Sequence, residues 1–394
     1  MNGFKRICAV ILGGVLFAAG VLKLMDPLGT SLIVDEYFKF FPLGFLRFAS
    51  MPVGIALALL ETLTGAALIS GVWRKTTGIV CLCLLVFFTV VTFILWIMNP
   101  PMDCGCFGEA VHLTHLQSLL KNLALLLLWA VVFIPRGAVG KPQKVKYASF
   151  AVAAASVALF TLYSLLSIPF VDFTSLKPGT ELYGAYDENF ADVEGFVYEK
   201  DGREGTFTPD ALPDTSWHFV RTENYDTSLG KEDENPPASL SFYSASGDYA
   251  DSLALDGRVF AISAYNPEKL SGAALQNLAR FASQAQQRGF TVLFLTAGTP
   301  ETLAESVSDP VLLANSYFAD RRLLMTLNRS NGGVTLISDA LVTAKWAARA
   351  LPDNTELDGI AEADPVEYMM GRTGRGKMRL QAFLLYTFAV LLLL

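Results

Sequence analysis

The sequence predicts an α-helical membrane bundle fused to a soluble α/β domain, and three observations lead to this fold class. The 394-residue chain is 52% hydrophobic with a mean hydropathy of +0.41, which is well above the range of soluble proteins. Long apolar runs fill the chain to about residue 170, and a soluble, acidic composition follows to about residue 378. The net negative charge of the chain, −7, comes from the acidic residues of that second part, and no basic face is visible, so a nucleic-acid partner is not expected.

Six segments are apolar enough to be considered as membrane spans. They are residues 7–24, 52–72, 77–98, 116–134, 147–168 and 380–394. Residues 28–50, between the first two spans, are predicted to form one amphipathic surface helix with several phenylalanines at the interface. The sixth segment is shorter than the ~20 residues that a span requires, so it is the weakest of the six.

Basic residues in the short loops indicate the orientation of the bundle. They form three clusters: Lys5 with Arg6, Arg74 with Lys75, and Arg136 with Lys141, Lys144 and Lys146. All three lie on one side if the N-terminus is cytoplasmic, which places residues 171–378 in the periplasm of a Gram-negative cell. One cluster disagrees, because Arg372, Arg375, Lys377 and Arg379 precede the last segment on the outer side. The first apolar run continues without a small-residue cleavage site and is interpreted as a retained anchor.

The loop Asp103-Cys104-Gly105-Cys106-Phe107 is the most informative motif of the chain. A disulfide between residues i and i+2 closes a small strained ring that accepts electrons readily, and glycine can supply the backbone angles. The motif therefore predicts a thiol–disulfide centre at the membrane edge. A structural disulfide, idle thiols, or a zinc site with His112 and His115 are the alternatives. The other cysteines, Cys8, Cys81 and Cys83, are interpreted as inert.

Two ionisable residues fall within the predicted spans. Glu61 lies near mid-membrane, where a carboxylate costs ~3 kcal/mol and must face the bundle interior or a cavity. Two roles stay open for it: a protonated, hydrogen-bonded structural residue, or a proton-relay or quinone-binding group. Lys23 lies a turn from the outer end of the first span. It could pair with Glu61, but snorkelling to the membrane surface is the preferred prediction.

Residues 1–135 resemble the DoxX/MauE family of four-helix membrane proteins. The matching residues are Ala19-Gly20-Val21-Leu22-Lys23-Leu24 with Asp26-Pro27, Glu61-Thr62-Leu63-Thr64-Gly65, Arg74, Asp103-Cys104-Gly105-Cys106-Phe107-Gly108 and Lys121-Asn122. MauE-type proteins are implicated in the maturation of periplasmic methylamine dehydrogenase, whose small subunit is rich in disulfides. DoxX relatives are associated with quinone-linked sulfur oxidation. The resemblance implies disulfide chemistry at the inner membrane, without transferring methylamine as a substrate.

The second part of the chain resembles a thioredoxin-like domain from about residue 238. The predicted elements are a hairpin over 238–255, a strand over 259–265, a helix over 272–288, a strand over 291–296, and a closing hairpin of 333–338 and 341–346. Asn266-Pro267-Glu268-Lys269 stands where thioredoxins carry Cys-x-x-Cys, and Gly332 or Gly333 replaces the expected cis-proline. The resemblance therefore implies a domain that has lost thioredoxin redox chemistry. Asp320-Arg321-Arg322 and Lys345-Trp346 are interpreted as surface and packing residues.

Together these observations divide the chain into four parts. They are residues 1–135, the DoxX/MauE-like bundle; 136–170, a cytoplasmic loop and fifth helix; 171–378, the periplasmic domain; and 379–394, a hydrophobic segment that returns to the membrane. The preferred function is a thiol–disulfide redox or maturation factor for a periplasmic client, with Cys104 and Cys106 as reacting groups and a quinone accepting electrons near Glu61. The alternative is a non-enzymatic membrane scaffold whose cysteine-free domain binds the client.

Overall fold

The computed structural model describes residues 3–100, 102–134, 144–183, 193–200, 203–207, 218–225 and 238–393. Within these ranges, five helices are long and apolar enough to cross a membrane. They coincide with the first five predicted spans. The basic residues Arg136 and Lys141, which contributed to the predicted orientation, lie outside the described residues.

The described residues of the membrane part form six α-helices and one short strand. They are α1 (Gly3–Met25), α2 (Pro27–Phe40), α3 (Ser50–Ser70), α4 (Arg74–Met98), β1 (Cys106–Glu109), α5 (His115–Phe133) and α6 (Lys144–Leu166). The α1 and α3 backbones approach closely at small residues, since a Cβ added to Gly20 would lie 2.8 Å from the Ala58 carbonyl oxygen. Small residues permit this approach in a membrane, where helix association depends on close packing. This crossing places Lys23 of α1 beside Glu61 of α3.

The predicted surface helix over 28–50 is interrupted in the structure. It consists of α2, which ends at Phe40, and a separate 3-10 helix, Gly44–Ala49. Pro42 explains the break, because proline lacks a backbone N–H and disfavours helical geometry in the preceding residue. The predicted interfacial position agrees with the exposure of Phe45 (73%) and Phe48 (84%).

The soluble part contains a five-stranded mixed sheet with the order β11-β10-β7-β8-β9. Its strands are β7 (Arg258–Ala264), β8 (Thr291–Thr296), β9 (Ser316–Phe318), β10 (Gly333–Ser338) and β11 (Leu341–Trp346), with the first three mutually parallel and the last two antiparallel to their neighbours. The helices beside it are α7 (Gly272–Gln286), α8 (Pro300–Ser306), α9 (Pro310–Ala314), α10 (Arg321–Leu327) and α11 (Asn354–Glu362). Apolar side chains on both faces of the sheet, such as Phe260 and Val259, are fully buried in two clusters.

The central strands, the helix after the first of them and the closing hairpin were predicted and are confirmed. Asp339 and Ala340 both have positive φ at the hairpin turn, as a two-residue hairpin loop of type I′ requires. The predicted hairpin over 238–255 is much shorter in the structure: an antiparallel bridge joins Tyr243 and Tyr249 across the predicted turn at Gly247-Asp248. Ala238–Ser239 pairs elsewhere, and Asp251–Ala254 forms a 3-10 helix. Ser246 donates to the Asp248 carboxylate at 2.6 Å, a local bond that competes with regular strand pairing.

Two further sheets were not predicted. Strands β2 (Leu182–Tyr183) and β6 (Ala238–Ser239) form a short parallel pair. Strands β3 (Val193–Lys200), β4 (Arg203–Phe207) and β5 (His218–Tyr225) form an antiparallel sheet with the order β4-β3-β5. The domain is therefore a mixed α/β structure, as predicted. Its resemblance to thioredoxin in particular remains a prediction.

The sixth apolar segment belongs to a much longer helix, α12 (Pro365–Leu393), which continues without a break from the soluble domain. It is not among the five helices that meet the length and hydropathy of a span. Its apolar end nevertheless packs on the bundle: Phe383 stacks on Phe160 of α6 at a centroid distance of 4.5 Å, and Phe388 contacts Phe17 of α1 edge-on at 5.6 Å. The basic residues of α12 therefore lie on the same rigid helix as the apolar tail.

Candidate functional site

The cysteine loop joins α4 to α5 beside the C-terminal end of α1. Asn99, in a left-handed conformation, ends α4, and Thr114 starts α5 with a capping box to Gln117. Gly105 and Gly108 have φ of 57° and 63°, a region that L side chains rarely adopt. A Cβ at Gly105 would also approach within 2.5 Å of the Ile33 side chain on α2. The glycine between the two cysteines is thus required both for the turn and for contact with α2.

Cys104 is buried and is held by polar contacts on two sides. Its Sγ lies 3.0 Å from Nδ1 of His115, and its carbonyl oxygen accepts a hydrogen bond of 2.6 Å from the Tyr37 hydroxyl. The Nε2 of His115 lies 3.1 Å from the carbonyl oxygen of Pro100. A carbonyl can only accept, so in the neutral ring Nε2 carries the hydrogen and Nδ1 is the acceptor. This tautomer makes Nδ1 the group that receives the thiol proton.

The electrostatic surroundings of Cys104 favour the thiol over the thiolate. Burial raises the pKa of Cys104, while Ser118 and Lys121 act in the opposite direction. Burial also raises the pKa of Tyr37, so Tyr37 remains a donor to the loop. Cys106 is only partly buried, and both thiols are free. The pair therefore combines an inner thiol beside a base with an outer thiol nearer the surface.

The four predicted zinc ligands are not brought together. His112 bonds the Asp103 carboxylate at 2.9 Å, and its side chain is 61% exposed. Only His115 contacts a cysteine. In the part of the chain that the structure describes, no group of three or more His, Cys, Asp or Glu side chains is placed to hold a metal ion. The zinc alternative for Cys104, Cys106, His112 and His115 is therefore not supported by the geometry.

Lys23 and Glu61 form a buried ion pair, so the prediction that Lys23 snorkels to the surface is wrong. The Lys23 Nζ lies 2.5 Å from Glu61 Oε2, and the side chains are 11% and 5% exposed. The ammonium also lies over the ring of Phe88, 5.2 Å from its centroid. Tertiary contacts cover this end of α1 and keep Lys23 from the surface. A Cβ added to Gly108 of β1 would lie 3.7 Å from Lys23 Cα, and the Thr30 hydroxyl of α2 donates to the Lys23 carbonyl oxygen at 2.8 Å. The pair thus lies directly beneath the cysteine loop.

Sequence reasoning missed an ion-pair cluster that connects the soluble domain to this loop. Arg329, which follows α10, donates to the Asp26 carboxylate at 2.8 Å and to the Glu109 carboxylate. Asp26 caps α2, and Glu109 is the last residue of β1, the strand that begins at Cys106. Arg322 forms a second, exposed bridge to Glu36 of α2. Asp26 belongs to the Asp26-Pro27 motif, but nothing in the sequence marks Arg329 as its partner.

Burial and ion pairing both change the pKa values of this cluster. Burial alone would lower the pKa of Arg329, yet attraction to Asp26 and Glu109 outweighs it and raises that pKa. Burial raises the pKa of Glu109, and Arg329 partly opposes this rise. The guanidinium is therefore a permanent cation between two carboxylates, and its side chain is only 5% exposed. It is a structural connection between the two parts of the chain.

Two predictions about the soluble domain are also resolved. Lys345 is not a surface residue, since it is buried and pairs with Asp172 at 2.6 Å, whereas Trp346 is a packing residue as predicted. The segment in place of Cys-x-x-Cys forms the 3-10 helix Pro267–Lys269 after β7. Asn266, just before it, exchanges two hydrogen bonds with the Asn331 side chain, at 3.0 and 2.8 Å. The end of β7 thus faces the loop that precedes β10.

Comparison with known proteins gives two matches to families. The family model described as methylamine utilisation protein MauE matches residues 1–135, and one described as domain of unknown function DUF8463 matches residues 195–225. No curated protein and no solved structure matches the chain. The MauE match spans α1 to α5 and so includes the cysteine loop, His115 and the Lys23–Glu61 pair, while the DUF8463 match falls within the β3–β5 sheet. Residues 1–135 are therefore similar to the MauE family, and the chain carries the apolar helices of a membrane protein.

Proposed function

We propose that this protein is an inner-membrane thiol–disulfide redox or maturation factor for periplasmic proteins, acting through Cys104 and Cys106. One observation supports it above the others: the 3.0 Å contact between Cys104 Sγ and His115 Nδ1. A thiol beside an imidazole whose other nitrogen is fixed by a carbonyl has a ready proton acceptor. An idle thiol would not need this partner. The N-terminus is cytoplasmic and the loop lies on the periplasmic side in this proposal.

The difference in exposure between the two thiols suggests an order of steps in the oxidising direction. A client thiol gives its proton to Nδ1 of His115 and attacks Cys106 of the Cys104–Cys106 disulfide as a thiolate, and the departing Cys104 sulfur takes that proton from the His115 imidazolium. A second client thiol then attacks the client sulfur of the mixed disulfide, its proton passes to the departing Cys106 sulfur, and a client disulfide is left. The client has lost two electrons and two protons, and the cysteine pair has gained them. Burial raises the pKa of Cys104, so the departing Cys104 sulfur keeps the proton that it takes from His115.

Regeneration of the disulfide requires an acceptor of two electrons and two protons, and a membrane quinone has this chemistry. The Lys23–Glu61 pair, immediately beneath the loop, supplies the buried polar groups at which a quinone oxygen could bind. A lysine ammonium donates hydrogen bonds to such an oxygen, and the carboxylate keeps the site neutral overall. This assignment makes Glu61 and Lys23 the quinone-binding residues of the proposal.

The soluble domain would bring the client to the loop. Its strand order, with a hairpin antiparallel to a central parallel pair and Asn266 facing the loop before β10, is what a thioredoxin-like fold predicts. It contains no cysteine, so it cannot form a mixed disulfide itself. Arg329 fixes it beside Glu109, at the end of the strand that begins at Cys106. We therefore assign it to client binding.

Alkylation of membranes with a maleimide that adds mass tests the redox function. The wild-type pair should be recovered partly oxidised, and Cys104→Ser should accumulate a mixed disulfide with a client through Cys106. His115→Gln should slow reoxidation, whereas the matched change His112→Gln should not, because His112 is exposed and bonds only Asp103. A pair that stays fully reduced in cells, with normal client disulfides in the Cys104→Ser/Cys106→Ser variant, would show that the redox function is wrong.

A second candidate is the non-enzymatic scaffold, and the cysteine-free domain favours it. Under this function the cysteine loop serves only as a docking surface for the domain through Glu109. A client captured by the full-length double-serine variant as well as by the wild type, in both oxidising and reducing buffer, would favour the scaffold if client disulfides also form normally. Loss of client disulfides with capture retained would favour the redox factor.

A further inference from the structure

A cavity of about 850 Å³ lies where the membrane bundle meets the soluble domain. Its wall is formed by the end of α6, the segment 167–178, strand β11 and the middle of α12. The cavity is open on one side and is separate from the cysteine loop. The family matches do not include its α12 wall.

The charge of this cavity is strongly positive. Seven basic residues line it, namely Lys177, Arg329, Lys345, Arg372, Arg375, Lys377 and Arg379, against two carboxylates, Asp172 and Glu356. Asp172 pairs with Lys345, Glu356 with Arg372, and Arg329 is held by residues outside the cavity. In the described part of the chain, the other four cations have no carboxylate partner. A cavity that concentrates unpaired cations is suited to an anion.

The wall behind these cations is rigid. Arg372 lies over the ring of Trp346, 4.4 Å from its centroid, while it bonds Glu356 at 2.7 Å. Lys345 donates to Asp172 at 2.6 Å and is buried. The side chains of Arg375, Lys377 and Arg379 are exposed on the rim, on one turn of α12. The arrangement therefore has a packed aromatic and cationic floor and an exposed basic rim.

The position of the cavity places it at the edge of the bilayer. Helix α6 ends at Leu166, and the apolar part of α12 begins one residue after Arg379. Tyr163 stacks on Phe170 at 4.7 Å beside the opening, as aromatic residues do at membrane interfaces. Below this level α6 presents exposed apolar side chains, including Leu159 (69%) and Leu162 (54%). An acyl chain could lie along this face while its phosphate enters the cavity.

We propose that this cavity binds the phosphate of an anionic phospholipid from the outer leaflet of the membrane. Basic pockets between membrane helices are known to hold anionic headgroups. A phosphate ion in solution would satisfy the same cations, but it would not use the apolar face of α6. In the orientation proposed above, a lipid bound here also accounts for the one basic cluster that disagrees with the orientation rule.

Native mass spectrometry of the full-length protein in detergent tests the proposal. Phosphatidylglycerol should form a retained adduct, phosphatidylcholine a much weaker one, and inorganic phosphate should compete poorly. Substitution Arg375→Gln/Arg379→Gln should weaken phosphatidylglycerol binding by roughly 30-fold, since each basic residue near an anionic lipid contributes about fivefold. The matched change Lys269→Gln/Arg280→Gln removes the same charge from exposed residues outside the cavity and should have little effect.

The possible outcomes distinguish an anionic phospholipid from a phosphate ion in solution. Arg375→Lys/Arg379→Lys keeps the charge and should keep binding, which shows that the loss in the glutamine variant follows from the removed charge. If the two glutamine variants weaken phosphatidylglycerol binding equally, only the net charge of the protein matters, and the proposed site is overturned. Phosphate that displaces the lipid at equal concentration, or equal binding of the two lipids, would overturn the assignment to an anionic phospholipid.

Discussion

The substitution Arg329→Gln should loosen the soluble domain from the membrane bundle. Arg329 donates to Asp26 and Glu109 and, at 3.0 Å, to the Met325 carbonyl oxygen, with only 5% of its side chain exposed. Glutamine keeps hydrogen-bonding capacity but leaves two carboxylates without a cation. Removing one partner of a buried pair costs about 3–5 kcal/mol. Since Asp26 and Glu109 remain 14% and 24% exposed, we expect the lower end, about 3 kcal/mol.

Urea unfolding of the soluble domain in the full-length protein, held in detergent, measures this effect. Trp346 is buried in the sheet core, so its fluorescence reports the transition, and linear extrapolation gives the free energy of unfolding. Arg322→Gln is the matched control. It removes the same charge from a bridge to Glu36 in which the side chains are 60% and 22% exposed, and exposed pairs contribute at most about 1 kcal/mol.

A double-mutant cycle sharpens the test. If Glu109→Gln is combined with Arg329→Gln, the loss should be smaller than the sum of the two single losses, because the second change removes a carboxylate already left unpaired. Equal destabilisation by Arg329→Gln and Arg322→Gln would refute the reasoning. So would an additive cycle, which would mean that Arg329 does not hold the domain through Glu109.

Three further predictions follow from buried ionisable groups. Burial raises the pKa of Cys104 above its usual 9.0. In a variant lacking the other cysteines, the rate at which iodoacetamide labels Cys104 should therefore keep rising above pH 9, whereas the rate for an exposed thiol levels off there. Burial alone would raise the pKa of Asp172, but attraction to Lys345 outweighs it and lowers that pKa below 3.8; the stability from Asp172 is therefore complete above about pH 4 and lost as pH falls further. Acid unfolding should show this loss, and Asp172→Asn should abolish it while costing about 3–5 kcal/mol at neutral pH through the unpaired Lys345. Glu61→Gln should destabilise the bundle by a similar ~3–5 kcal/mol, and Lys23→Met/Glu61→Leu should recover most of it in a thermal-shift assay in detergent, because the double change leaves no charge unpaired; a double variant less stable than Glu61→Gln would contradict the ion pair.

The sequence predicted local structure well where one physical signal dominates. The length of the apolar runs located the five long helices. In lipid, a helix is favoured because it satisfies the backbone N–H and C=O groups by hydrogen bonds within the same segment. Alternation and the turn at Asp339 and Ala340 gave the closing hairpin with its boundaries. The prediction of one helix failed at 28–50, where Pro42 outweighed the apolar pattern. The hairpin predicted at 238–255 is reduced to a short turn with one bridge across it, where serine and aspartate bond locally. The β3–β5 sheet was not predicted at all.

The sequence by itself determined that this chain has apolar helices, a cysteine pair in the loop after the fourth of the described helices, and an acidic α/β domain without cysteine. These follow from residue type and spacing along the chain. Only the tertiary structure decided that Lys23 pairs with Glu61 rather than reaching the surface, and that His115 rather than His112 faces Cys104. It also brought Arg329 to Glu109, across more than two hundred residues. The physical reason is that ion pairing and burial depend on distance in space, which helix crossings and domain docking set and which no local pattern records.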